Sequence, residues 1–274
     1  MIADPIFMFS LDMGIAGAGL STALSQFVSW CILLSMFLLG KTDTKLGISH
    51  IKGGNILMLF SIMATGFPSL LRQGLNSIST VMLNDICFDY GDSAVAAMSI
   101  VSLIVFFAFS IAIGIGQGFQ PVSGFNYGAG KYNRLRKAFR FTVMISEAII
   151  VVGCTLLFIF SDGLIGIFRD DSEVIEIGGP ALRLQALAQL VLPPCMAVEM
   201  LYQSTGKRLG ASILSSLRNG IIFIPVLVIL AGIRGLSGIQ EAQPVSLLIS
   251  LPVTIPFGIS FFRRLPDEIS DNTA

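Results

Sequence analysis

Residues Gly116-Gln117-Gly118-Phe119-Gln120-Pro121-Val122-Ser123-Gly124-Phe125-Asn126-Tyr127-Gly128-Ala129-Gly130-Lys131 separate two long apolar runs. Five glycines and a proline make the stretch a poor helix former. It therefore predicts a break, with Pro121 ending the preceding helix and Gly128 and Gly130 supplying the positive φ of a tight turn. A basic cluster, Lys131, Arg134, Arg136, Lys137 and Arg140, follows at once. Glycines before a lysine suggest a phosphate loop. That loop needs G-x-x-x-x-G-K-[ST] between a strand and a helix, whereas Lys131 precedes Tyr132 among apolar runs of membrane-spanning length. The stretch reads instead as a turn between two membrane helices, its side fixed by positive charge.

Composition points the same way. The 274 residues are 54% hydrophobic and 12% charged, with a mean hydropathy of +0.82. Soluble domains carry about 25% charged residues, so the chain reads as a polytopic membrane protein. Net charge is zero, and the basic residues do not form a nucleic-acid face. Cys31, Cys87, Cys154 and Cys195 are widely spaced at or within apolar runs, which argues against a disulfide framework or a zinc site. His50 is the single histidine, so Ser-His-Asp or Cys-His catalysis has nothing to build on. The expectation is a non-enzyme with no metal and no cofactor. No secretory signal is visible, and Met1–Pro5 leads straight into apolar sequence without a basic leader.

About seven spans of bilayer length can be read, near 16–39, 57–84, 93–115, 137–160, 177–204, 209–231 and 243–262. Their loops alternate in charge. Lys41, Lys45 and Lys52, the cluster from Lys131 to Arg140, Lys207 and Arg208, and Arg263 and Arg264 make 12 of the 17 basic residues, all on one side. Asp85, Asp89, Asp92, Asp162, Asp170, Asp171, Glu173, Glu176 and Glu241 fall on the other. The positive-inside rule then puts the C-terminus in the cytoplasm of a plasma-membrane protein.

A short repeat adds an architectural expectation. Gly14-Ile15-Ala16-Gly17 and Gly235-Leu236-Ser237-Gly238 each precede an apolar span, with Ser25 and Ser246 downstream and Pro5 and Pro225 upstream. If the first span corresponds to the seventh, the last six form one unit, and five spans that would precede the first are missing from the pattern.

Polar groups inside spans are costly and need a reason. Ser69, Arg72, Gln73, Asn76 and Thr80 share one helical face, just after Pro68. Gln185, Gln189, Glu199 and Gln203 share another, around the helix-breaking Pro193-Pro194. Glu147 lies near Thr142 and Ser146. These stripes either line a water-filled cavity that binds cations or polar substrates, or hydrogen-bond helix to helix. Arg72 and Glu199 favour the cavity, while Arg183 and Arg218 are placed to snorkel from span ends.

Several motifs resemble the multidrug and toxic compound extrusion (MATE) transporters. Gln120-Pro121 with Gly124, Asn126, Gly128-Ala129 and Lys131 is similar to the turn between that family's eighth and ninth helices. Asp4-Pro5-Ile6-Phe7, Gly14–Ala18 and Ser21–Gln26 resemble the end of its fifth helix and the start of its sixth, and Gly66-Phe67-Pro68 its seventh. Gln203–Lys207, Arg218-Asn219-Gly220 and Ile224-Pro225 resemble its tenth and eleventh helices, in the MepA-like branch.

The resemblance implies an all-α membrane protein with one complete six-helix lobe and one helix of the other. Residues 1–55 would be the remnant of the N-terminal lobe and its linker, 56–264 the C-terminal lobe, and 265–274 a cytoplasmic tail. It also implies a multidrug efflux antiporter coupled to H+ or Na+, lacking its first helices, with small amphipathic, cationic compounds as substrates and the missing lobe as partner. The glutamate that the NorM-like branch carries in helix seven falls here on Asn76, which argues against that sodium site. The alternatives are a lipid-linked precursor flippase of the same superfamily, which calls for more cationic residues in the cavity than Arg72 supplies, and a non-transporting remnant.

Overall fold

The computed structural model describes Phe7 and residues 14–39 and 56–266. The Asp4-Pro5 motif, Lys41, Lys45, Lys52, His50 and the tail from 267 lie outside the described residues. The chain divides into two compact units, 1–59 and 60–274. In the first, α1 (Gly14–Leu38) runs 25 residues, roughly 37 Å at 1.5 Å per residue. Phe27, Trp30, Ile32 and Leu33 are exposed along it, as suits contact with lipid.

The remaining helices are α2 (Ile56–Phe88), α3 (Asp92–Gly128), α4 (Tyr132–Ile159), α5 (Ser161–Phe168), α6 (Ser172–Gln189), α7 (Leu192–Ser204), α8 (Arg208–Ser216), α9 (Phe223–Arg234) and α10 (Leu236–Arg263). A π-helical turn, Leu217–Ile221, joins α8 to α9. No strand occurs among the described residues. Four described helices are long and apolar enough to cross a membrane: α1, α3, α4 and α10. The count rises to five if α6 and α7, bent by 53° ahead of Pro193-Pro194, are one span. The seven expected spans all fall on helices. The count of seven is not reached on length and hydropathy, because α2 lies outside it and the π turn divides another run into helices of 9 and 12 residues.

Helix α3 is the centre of the bundle, packed on α4, α6 and α7, while α10 packs on α9, α6 and α7. Small residues permit this: Ala94, Ala97, Ala112 and Gly116 are buried along α3. Two apolar cores result. One joins Val101, Ile150, Leu182, Leu227 and Ile239 toward the acidic end. The other joins Phe119, Leu135, Met200, Tyr202 and Phe261 toward the basic end. There Lys207 Nζ sits 4.0 Å from the centroid of the Phe261 ring, and burial, aided by the charge of Arg264, lowers its pKa. Phe107, Phe141, Met144 and Ile259 are exposed on the outer faces, where a bilayer accepts them.

The Gly116–Lys131 stretch departs from expectation. Pro121 does not stop the helix: α3 continues through it to Gly128, 37 residues in all. A membrane segment must satisfy its backbone internally, so the helix persists past a proline, which removes a single ladder bond; side chains add bonds to carbonyls on either side of it. Ser123 Oγ donates to Gln120 O at 2.9 Å, and Asn126 Nδ2 to Val122 O at 2.8 Å. The glycines serve packing. A Cβ on Gly116 would land on Met200 Sδ, and one on Gly124 would meet Ser204 O at 3.2 Å. The turn is confined to Ala129–Lys131. Gly130 takes it at φ 69°, whereas Gly128 remains helical and is not among the positive-φ glycines. Pro68 likewise sits inside a continuous α2.

Candidate functional site: a polar cavity

Between α2 and the helices facing it lies a cavity of about 570 Å³. Helix α2 supplies Arg72, Gln73, Asn76, Ser79, Thr80 and Asn84, α3 supplies Ser99 and Ser102, and α6 supplies Gln185 and Gln189. Arg218 of the π turn and Gln243 of α10 complete the polar lining. Met98, Phe106, Phe109, Ile113, Met196 and Leu247 give it apolar walls. The polar stripe of α2 faces this space because its residues recur every three or four positions, while exposed Leu70, Ile78 and Val81 look the other way.

Five predicted residues, Arg72, Gln73, Asn76, Gln185 and Gln189, thus come together on one cavity. Gln189 is buried, and its Oε1 has no hydrogen-bond partner. Glu199 does not line the cavity. It is buried behind it, its Oε2 3.4 Å from Arg218 Nη2 in an ion pair that lacks hydrogen-bond geometry. Arg218 was expected to snorkel. Instead its side chain is 11% exposed, paired with Glu199, and its guanidinium carbon lies 6.0 Å from the Phe109 ring centroid. The π turn brings it inward, where Glu199 offsets its charge. Arg183 does lie near a helix-bundle end, donating to Asp162 Oδ2 at 2.6 Å and Ser161 Oγ at 2.7 Å.

Gln203 lies elsewhere. Its Oε1 accepts from Gln120 Nε2 at 3.1 Å, and its Nε2 donates to Ser69 Oγ at 2.7 Å. This relay ties α7 to α3 and α2, beside a Ser123–Ser204 hydroxyl pair at 2.6 Å. Ser215 Oγ adds a bond to Pro68 O at 3.2 Å, and Arg208 one to Ser61 Oγ at 2.7 Å. The loop-motif residues Gln120, Gly124, Asn126 and Lys131 therefore anchor helix ends and lie away from the cavity. Glu147 is half-buried near the middle of α4 and is not in the cavity lining. Sequence reasoning missed Ser79, Asn84, Ser99, Ser102, Arg218 and Gln243 as lining residues. Gln243, a polar residue inside the apolar run of α10, was the most visible of these.

A helical membrane bundle with a polar cavity between its own helices is the architecture of a transporter lobe. The MatE family profile matches residues 65–229, and the chain belongs to that family. It is 28% identical over 239 residues to the multidrug export protein MepA of Staphylococcus saprophyticus, covering 87% of this chain and 52% of that protein. With MepA of a bovine Staphylococcus aureus strain the identity is 28% over 274 residues, 100% of this chain and 59% of that protein. Its fold superposes on a crystal structure of a MATE protein in complex with MaL6, with a TM-score of 0.84 at 21% identity, over 96% of this chain and 60% of that one. An outward-facing multidrug resistance MATE transporter gives a TM-score of 0.84 at 22% identity, with the same coverage. The chain spans about half the length of the curated relatives it matches.

Proposed function

We propose that this chain forms the C-terminal lobe, with one helix of the other lobe, of a multidrug efflux antiporter of the cell membrane, driven by entry of H+ or Na+. The observation that carries the reading is the cavity. Arg72, Gln73, Asn76, Gln185 and Gln189 converge on about 570 Å³ of space with aromatic walls, which is the size and character of a small-ligand site. Residues 1–55 belong in this reading to the first lobe and its linker, 56–264 to the second, with the C-terminus cytoplasmic. Alternating access requires a second unit rocking against this one, whichever polypeptide supplies it.

Glu199, buried against Arg218 just behind the cavity, is the carboxylate placed to link cation entry to cavity opening. Efflux of a fluorescent dye from vesicles holding the two-lobe protein tests the proposal. Efflux should follow an imposed H+ or Na+ gradient and be lost in Glu199→Gln with insertion intact. No efflux under either gradient would sink the antiporter reading, and unchanged efflux in Glu199→Gln would remove that residue from coupling. One observation favours a second reading, a lipid-linked precursor flippase: the cavity holds two arginines, Arg72 and Arg218. Binding of an isoprenoid diphosphate in preference to dyes would support it.

A further inference from the structure

At the basic end of the bundle one turn is built twice. Gly130 and Gly206 take φ 69° and 74°. The lysine after each, Lys131 or Lys207, is the N-cap of α4 or α8, at φ −86°, ψ 65° and φ −80°, ψ 70°. Lys131 N donates to Asn126 O at 2.9 Å, and Lys207 N to Tyr202 O at 3.0 Å. The ring of Phe261 joins the two turns, 5.9 Å from Tyr127 and 5.4 Å from Tyr202 between centroids. Lysine is a poor N-cap, because its charge opposes the positive end of the helix dipole. Charge bias fixes the side on which basic residues lie, but it does not require them at helix starts.

Three cations from three helices come together on Phe261-Phe262. Lys207, at the start of α8, places Nζ 4.0 Å from the Phe261 centroid. Arg136 of α4 donates from Nη2 to Phe262 O at 3.4 Å, at the C-terminal end of α10. Arg264 is the C-cap of α10, and its charge reaches Lys207, whose pKa it helps to lower. Gathering these charges therefore costs repulsion, which an anion between them relieves. Phe139 of α4 packs edge-on against Phe262 at 5.0 Å and extends the aromatic floor. At the same end Phe125 of α3 is 73% exposed and Leu209 of α8 82% exposed. Cations beside apolar side chains match the headgroup level of a bilayer, where phosphate and acyl chain lie next to each other.

We propose that Arg136, Lys207 and Arg264 hold the headgroup phosphate of an anionic phospholipid, with its acyl chains against the apolar side chains at this end of the bundle. Charge complementarity selects the partner, since the inner leaflet of a cell membrane is rich in anionic headgroups. A guanidinium fork suits the phosphate oxygens, and Lys207 adds a point charge above an aromatic ring. The inference concerns bound lipid and stands apart from what the cavity exports.

Native mass spectrometry of the detergent-purified full chain, titrated with phosphatidylglycerol or with phosphatidylcholine of the same acyl chains, tests it. Phosphatidylglycerol should bind about tenfold or more tightly than phosphatidylcholine. The triple variant Arg136→Gln, Lys207→Gln, Arg264→Gln should lose that preference. Arg134→Gln removes a charge from the opposite flank of α4 and should leave it unchanged. If the triple variant does not fold, Arg136→Glu at its exposed position carries the test and should weaken phosphatidylglycerol about tenfold. Equal binding of the two lipids, or a preference that survives both Arg136 variants, would overturn the inference. So would displacement of phosphatidylglycerol by millimolar inorganic phosphate, which would show a site for the free ion. A preference that appears only after Asp267, Glu268 and Asp271 are changed to their amides would assign the three cations to the chain's own acidic tail and overturn it as well.

Discussion

Gly238→Ala is the substitution to which the bundle should be most sensitive for its size. Gly235 turns the chain out of α9 at φ 61°, and three residues later α10 crosses the backbone of α9. A Cβ at Gly238 would fall on the carbonyl of Leu230 and within 3.0 Å of Ala231 N. These are main-chain atoms of a neighbouring helix, so no rotamer change relieves the overlap and the two helices must separate. Overpacking costs about 1–3 kcal/mol where side chains yield, and a main-chain obstacle puts this case near about 3 kcal/mol. That is a loss of roughly a hundredfold in the folded-to-unfolded ratio, or about 6–12 °C in Tm for a unit of this size. Gly232→Ala is the control. Nothing lies within 4 Å of its Cβ, and alanine in a helix interior should gain about 0.5 kcal/mol. Thermal unfolding of the detergent-purified variants, followed by size-exclusion chromatography, reads both. Equal midpoints for Gly238→Ala and Gly232→Ala would refute the close-approach argument.

Other outcomes follow from the same geometry. Gly130→Ala must hold φ 69°, which costs about 1–2 kcal/mol, whereas Gly128→Ala, helical and open, should be near neutral; the reverse order in Tm would contradict the placement of the turn. Arg218→Gln leaves Glu199 buried without its partner and should cost about 3–5 kcal/mol, most of it recovered in the double variant with Glu199→Gln; a double variant no better than the single would show that the pair is not coupled. Gln203→Leu loses bonds to Gln120 and Ser69 and should cost about 2 kcal/mol at about 1 kcal/mol each; an unchanged Tm would show that the relay does not hold α2. A cysteine introduced at Lys131 or Lys207 should react with a cytoplasmic thiol reagent, and one at Asp89 or Asp171 with an external reagent; the opposite pattern would invert the topology.

The helical, membrane-embedded class was legible because it rests on run lengths and composition, which do not depend on how the helices pack. The α2 stripe was legible for a related reason: helical periodicity alone puts Arg72, Gln73 and Asn76 on one face, and the cavity is where that face points. The glycine-rich stretch misled because glycine and proline were read by their behaviour in water. Inside a bilayer helix the same residues keep the helix and let Met200 and Ser204 approach closely. The pairing of Glu199 with Arg218 was hidden for a different reason. The residues lie 19 positions apart on separate helices, and only the π turn at Leu217–Ile221 rotates Arg218 toward α7. Gln203 shares a helical face with Glu199 but sits at the end of α7, where Gln120 and Ser69 meet it first. The Gly235–Gly238 motif could be seen in the sequence as a repeat. Its cause, a left-handed turn followed by backbone contact, emerges only from the packing of α9 on α10.

The central claim is that the α2-lined cavity is where the exported compound sits, and site-directed protection tests it most directly. With Cys31, Cys87, Cys154 and Cys195 replaced, Asn76→Cys in the cavity and Phe141→Cys on the exposed face of α4 are compared for reaction with a water-soluble maleimide. The account predicts that Asn76→Cys reacts and is slowed in proportion to an added dye that the two-lobe protein exports, while Phe141→Cys shows no such protection. An inert Asn76→Cys, or one whose labelling no compound slows, would contradict it.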